Sequence, residues 1–91
     1  MSVELKARFF GRVQGVGFRY TVKQLADGLF LPGTVENLPD GSVSLLAQGE
    51  MQHLKLLLSR IEKEFESYIE GRDVEYLAIQ DPLQGFLIKK R

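Results

Sequence analysis

The sequence predicts an α+β fold: an antiparallel sheet with two helices on one face and a short extra strand at the C-terminal end. Three observations predict it. Several short segments alternate apolar and polar residues with a period of two, as half-buried strands do. Two longer segments repeat apolar residues at helical spacing. Between two extended segments stands Pro39-Asp40-Gly41, where proline pre-sets φ and glycine is free to take positive φ, a hairpin turn.

Val3 to Val13 reads as the first strand, with Val3, Leu5, Ala7 and Phe9 alternating with Glu4, Lys6 and Arg8. Phe10 breaks the alternation near its end. Tyr20 to Leu29 reads as a helix, with Phe18, Val22, Leu25, Ala26 and Leu29 on one stripe. Leu31-Pro32-Gly33 stops it. Gly33 to Leu38 and Ser42 to Gln48 are two strands joined by the turn. A second helix spans about Met51 to Phe65, with Met51, Leu54, Leu57, Leu58, Ile61 and Phe65 as its apolar side. Asp73 to Gln80 is a fourth strand, and Gly85 to Lys90 a short last one. The order strand, helix, strand, strand, helix, strand fits two split βαβ units in a ferredoxin-like sandwich. Residues 1–91 then form a single domain, as the length suggests.

The composition narrows the function. Lys+Arg and Asp+Glu are 12 each, a formal net charge of zero, which argues against general nucleic-acid binding. There is no cysteine, so disulfides, cysteine nucleophiles and thiolate metal sites are excluded. His53 is the only histidine and reads as solvated, so no metal site is expected. The start Met1-Ser2-Val3-Glu4-Leu5-Lys6 lacks the apolar core of a secretory signal, and no apolar run is long enough to cross a bilayer. A soluble cytoplasmic protein, without a membrane or nucleic-acid partner, is the expectation.

The chemistry lies in Gly11-Arg12-Val13-Gln14-Gly15-Val16-Gly17-Phe18-Arg19-Tyr20. A strand enters this stretch, a helix leaves it, and nothing acidic lies in it. Glycine lacks a Cβ, so successive backbone N–H groups can converge on one anion. The helix N-terminus adds free N–H groups and the positive end of its dipole. Arg19 adds a permanent charge with a donor fork matched to phosphate oxygens. In the sandwich the first two strands run parallel with the third between them. Their C-terminal ends therefore share one edge, about 10 Å apart. That brings Asn37, 18 residues beyond Arg19, to the same rim.

Those ten residues, followed by Gly33-Thr34-Val35-Glu36-Asn37-Leu38 and Asp40-Gly41-Ser42-Val43, resemble the acylphosphatase family over roughly the first 50 residues. The resemblance implies hydrolysis of acyl phosphates, small-molecule carboxyl-phosphate anhydrides, with no metal and no cofactor; a monomer is the expectation. It implies that Arg19 and Asn37 are catalytic, Arg19 binding the phosphoryl group and Asn37 positioning the attacking water. It implies a substrate-binding segment of Gln14, Gly15, Val16, Gly17, Phe18 and Arg19, in which the amides from Gly15 to Arg19 hold phosphate oxygens. The alternative is a non-catalytic ferredoxin-like module that binds an anionic metabolite or RNA.

Other residues read more plainly. Arg8 and Arg12 are strand-surface charges, Asp40 caps the turn, and Tyr20 packs at the mouth of the first helix. Three features depart from the family pattern. Where the family often has Leu-Gly-Leu, this chain has Leu29-Phe30-Leu31. Phe30 would be strained in a left-handed conformation, so it is expected to keep negative φ with an altered helix end. Glu36 replaces a basic residue and is expected to point away from Asn37. The absence of a Gly-Pro after the second helix leaves the register of the fourth strand open.

Overall fold

The computed structural model describes residues 1–90. Its elements are β1 (Ser2–Gly11), α1 (Phe18–Gly28), β2 (Gly33–Asn37), β3 (Val43–Glu50), α2 (Met51–Glu64), β4 (Ile69–Leu77) and β5 (Phe86–Lys89). The sheet order is β4-β1-β3-β2-β5. β3 is antiparallel to both of its neighbours, β1 and β2, so β1 and β2 run the same way and end on one edge. β5 pairs parallel to β2, which makes the sheet mixed rather than wholly antiparallel. Its C-terminal end reaches that same edge.

The core lies between the sheet and the two helices. Leu5, Ala7 and Phe9 of β1 and Val43, Leu45 and Ala47 of β3 meet Val22 and Ala26 of α1 and Leu54, Leu57, Leu58 and Ile61 of α2. The period-two and helical stripes in the sequence are the buried faces. At the centre Phe18 stacks between Phe9 and Phe65, with ring centroids at 5.2 and 4.7 Å. Tilted pairs of this kind add about 0.5–1.5 kcal/mol each to the burial of the rings. They pin the start of α1 to β1 and to the end of α2.

Two expectations need correction. β4 begins at Ile69, four residues before the expected Asp73, and ends at Leu77. Its alternation is broken by Arg72, which pairs across the sheet with Phe9 and so faces the helices. The guanidinium finds Glu62 of α2 there. A charged residue on the inward side hid the strand's first half from a hydrophobic pattern.

Phe30 is the second correction. It has φ 56°, in the left-handed region, not the negative φ expected. α1 ends at Gly28, Leu31 N–H donates to the Ala26 carbonyl at 2.9 Å, and Phe30 N–H donates to the Asp27 carbonyl at 3.0 Å. This crossed pair of bonds closes a helix end only if the enclosed residue is left-handed. Satisfying the two helix-end carbonyls outweighs the strain on one exposed phenylalanine.

Candidate active site

Gly15 and Gly17 both have φ 79°, and a Cβ on either would meet open space. Backbone conformation, not crowding, therefore demands glycine here. Gly17 is the N-cap of α1, no side chain caps the helix, and its first turn carries no acidic residue. The first intrahelical bond is Thr21 N–H to the Gly17 carbonyl at 3.0 Å. The N–H groups just before Thr21 are left to point out of the helix end, towards any anion placed there. Phe18 is 2% exposed, so it anchors the loop to the core.

A cleft of about 200 Å³ opens at this helix end, lined by Val13, Gly15, Gly17, Phe18, Arg19, Tyr20, Asn37, Ile88 and Lys90. β1 delivers the loop, β2 delivers Asn37 at its last position, β5 delivers Ile88, and Lys90 directly follows β5. Asn37 reaches the cleft with its Oδ1 shielded from bulk solvent. Arg19 and Lys90 are the cations of the lining, and no lining residue is acidic. Among the residues proposed from sequence, Gly15, Gly17, Phe18, Arg19 and Asn37 come together here. Gln14 and Val16 do not line the cleft. Val16 packs partly buried against the core.

The Gln14 carboxamide goes elsewhere. Its Nε2 donates to the Leu38 carbonyl and to the Ser42 carbonyl, both at 2.9 Å. It thus grips the β2–β3 turn that follows Asn37. The turn is held from other directions too. Leu38 N–H donates to the Ser42 carbonyl at 2.8 Å and Gly41 N–H to the Leu38 carbonyl at 3.1 Å. Asp40 accepts from the Ser42 N–H and hydroxyl, so it caps the turn as the sequence suggested. These Ser42 bonds, then the Arg8 charge, hold the Asp40 carboxyl below its ordinary pKa. Arg8 of β1 donates to Ser42 Oγ and to Asp40 Oδ2, each at 3.2 Å.

The family model for acylphosphatase matches residues 5–88. The chain belongs to the acylphosphatase family. An acylphosphatase of Pseudomonas paraeruginosa is 39% identical over 87 residues, 94% of each chain. One from Latilactobacillus sakei is 65% identical over 49 residues, which cover 54% of this chain and 53% of that one. Against a second such relative, from Lactobacillus gasseri, the chain likewise spans little more than half of the relative's length. The crystal structure of acylphosphatase from Bacillus subtilis superposes with a TM-score of 0.90 at 32% identity, covering 97% of this chain and 99% of that one.

Within this acylphosphatase family member, sequence reasoning missed Ile88 and Lys90. Their signal was the alternation Phe86, Ile88, Lys90 in the last strand. It became informative only once β5 was known to lie parallel beside β2, with Lys89 opposite Glu36. Lys23 Nζ ties α1 to that strand through the Phe86 carbonyl at 2.8 Å. Tyr20, expected to pack at the mouth, does line it but stays 64% exposed. Arg12 lies over the Tyr68 ring, 5.7 Å from its centroid. His53 is exposed. Among the described residues no three His, Asp or Glu side chains gather as a metal-binding group, and no helix is long and apolar enough to cross a membrane.

Proposed function

We propose that this chain hydrolyses small-molecule acyl phosphates to a carboxylate and inorganic phosphate, without a metal ion. The observation that carries the reading is the shared cleft. Arg19, from the first turn of α1, and Asn37, from the end of β2, line one acid-free space at an uncapped helix N-terminus.

The chemistry suits those groups. Water attacks phosphorus, the bond from phosphorus to the acyl oxygen breaks, and the carboxylate leaves with the electron pair. The conjugate acid of that leaving group has a pKa near ~4, so it needs no proton donor. What remains is to hold the phosphoryl oxygens and aim the water. The loop amides and the Arg19 guanidinium bind the spreading negative charge. The Asn37 carboxamide is no base, but it can hydrogen-bond the water and fix its line of attack. The proton released by water passes to a phosphate oxygen of the substrate.

The open face of the sheet supports a small substrate over RNA. Its register sets Glu75 opposite Lys6 and Asp73 opposite Arg8, so positive charge there is matched by negative. RNA readers on such sheets combine exposed aromatic residues with unmatched basic ones.

The test is hydrolysis of acetyl or benzoyl phosphate by the purified chain with a chelator present. Turnover that persists in chelator supports the reading. Absence of turnover, with inorganic phosphate still shifting the amide resonances of Gly15 to Arg19, would replace hydrolysis with anion binding alone.

A further inference from the structure

Gln14 links the two halves of the cleft. It immediately precedes the glycine loop, and its side chain reaches 24 and 28 residues ahead in the chain to the carbonyls of Leu38 and Ser42. Leu38 directly follows Asn37. Each of those carbonyls already accepts one backbone N–H, from Gly41 and from Leu38 respectively. A carbonyl oxygen has two lone pairs, and a carboxamide nitrogen has two N–H groups. Gln14 therefore spends both of its donors on the second acceptor position of each carbonyl. Both side-chain N–H groups are thus taken, and the Gln14 carboxamide has none left to offer a phosphate.

We propose that Gln14 is a positioning residue that sets Asn37 against the phosphate loop, and not a ligand of the substrate. This rests on the hydrolytic reading of the cleft. The loop holds the phosphoryl group and Asn37 holds the water, so the distance between them is the approach distance of the reaction. Two backbone segments define that distance, and the Gln14 side chain bonds one to the other beside Asn37. Loosening the link leaves the loop amides and Arg19 in place, so phosphate affinity is kept while the water loses its aim. Small misplacements of this kind are costly in rate, about 10–100-fold.

Three measurements test it. In Gln14→Ala, kcat falls about 10–100-fold while KM and inhibition by inorganic phosphate stay near wild type. Gln14→Glu provides the second variant. Its carboxylate cannot donate to two carbonyls, but its protonated form can donate to one. At the Ser42 end of the link stand Arg8 and Asp40, each bonded to Ser42 and paired with each other at 3.2 Å. Activity of the Glu variant therefore rises as pH falls through the carboxyl's titration, a limb the wild type lacks. In both variants the Asn37 side-chain amide resonance shifts while those of Gly15 to Arg19 still respond to phosphate.

Unchanged kcat in Gln14→Ala overturns the proposal. So does a loss that falls on phosphate affinity, which would make Gln14 a ligand. A Gln14→Glu activity limb that coincides with thermal unfolding also overturns it, leaving only a stabilising turn contact. If the wild type hydrolyses nothing, the hydrolytic reading fails instead, and the Asn37 resonance alone reports whether Gln14 holds the segment.

Discussion

Leu31 N–H donates to the Ala26 carbonyl across Phe30, and the bond holds Phe30 at φ 56°. Left-handed backbone costs an L-residue roughly 1–2 kcal/mol, and glycine is spared that cost but loses more freedom on folding. Phe30 is 92% exposed, so its ring contributes little burial to offset the strain. Phe30→Gly should therefore stabilise the domain by about 1 kcal/mol, near 4–8 °C in Tm for a domain of this size. Activity should not change, because Phe30 lies outside the cleft lining. Thermal unfolding of the two proteins checks it, and an unchanged or lower Tm would mean the ring is packed in solution.

Asp40 gives the fold a pH dependence with a definite sign. Its folded-state pKa lies below its ordinary 3.8, chiefly through the Ser42 hydroxyl and N–H and then through Arg8. The unfolded chain thus binds a proton more readily than the folded one, so stability rises with pH in that range. The contribution is present above pH 3.8 and is lost as pH falls through the lower folded value. Asp40→Asn should remove that segment of the acid limb and make stability less steep below pH 4 or so. Urea unfolding at a series of acid pH values measures the slope, and an identical slope in the variant would assign the acid sensitivity to other carboxyls.

Much of this arrangement was legible in the sequence, and what escaped has physical causes. The period-two stripe marked β1 and the helical stripes marked both helices, because those elements bury one face and wet the other, and the Pro39-Asp40-Gly41 turn marked β2 and β3. Arg72 hid the start of β4, since an inward arginine paired with Glu62 looks polar in any hydrophobic pattern. Phe30 took a glycine's conformation because two backbone hydrogen bonds outside the helix demanded it, and such bonds leave no mark on side-chain pattern. Gln14 sat inside the right motif, but only the fold showed that its amide grips Leu38 and Ser42. Lys90 entered the cleft through a parallel pairing between β2 and β5 that the strand order alone did not disclose.

Arg19 and Asn37 should fail in different ways. Arg19 holds the charge that grows on the phosphoryl oxygens, so Arg19→Gln should lower kcat/KM by about 10²–10³-fold or more. Arg19→Lys should recover little of it, because a lysine is a point charge without the planar fork. Asn37 aims the water and binds no charge. Asn37→Ala should lower kcat by about 10²-fold with KM little altered. Steady-state kinetics on benzoyl phosphate separates the two. Full turnover in either variant would remove that residue from the reaction.

Lys90 supplies the other positive charge of the cleft, on an exposed strand end beside Asn37's strand. Its exposed ammonium raises the local potential that draws an anion in. Lys90→Glu should accordingly raise KM several-fold at low ionic strength and leave kcat almost unchanged. Exposed charges are screened over about 10 Å at 0.1 M salt, so the difference between variant and wild type should shrink as salt is added. Measuring KM for acetyl phosphate across a salt series decides the matter. A loss of kcat that salt does not relieve would instead place the Lys90 ammonium in contact with the transferring group.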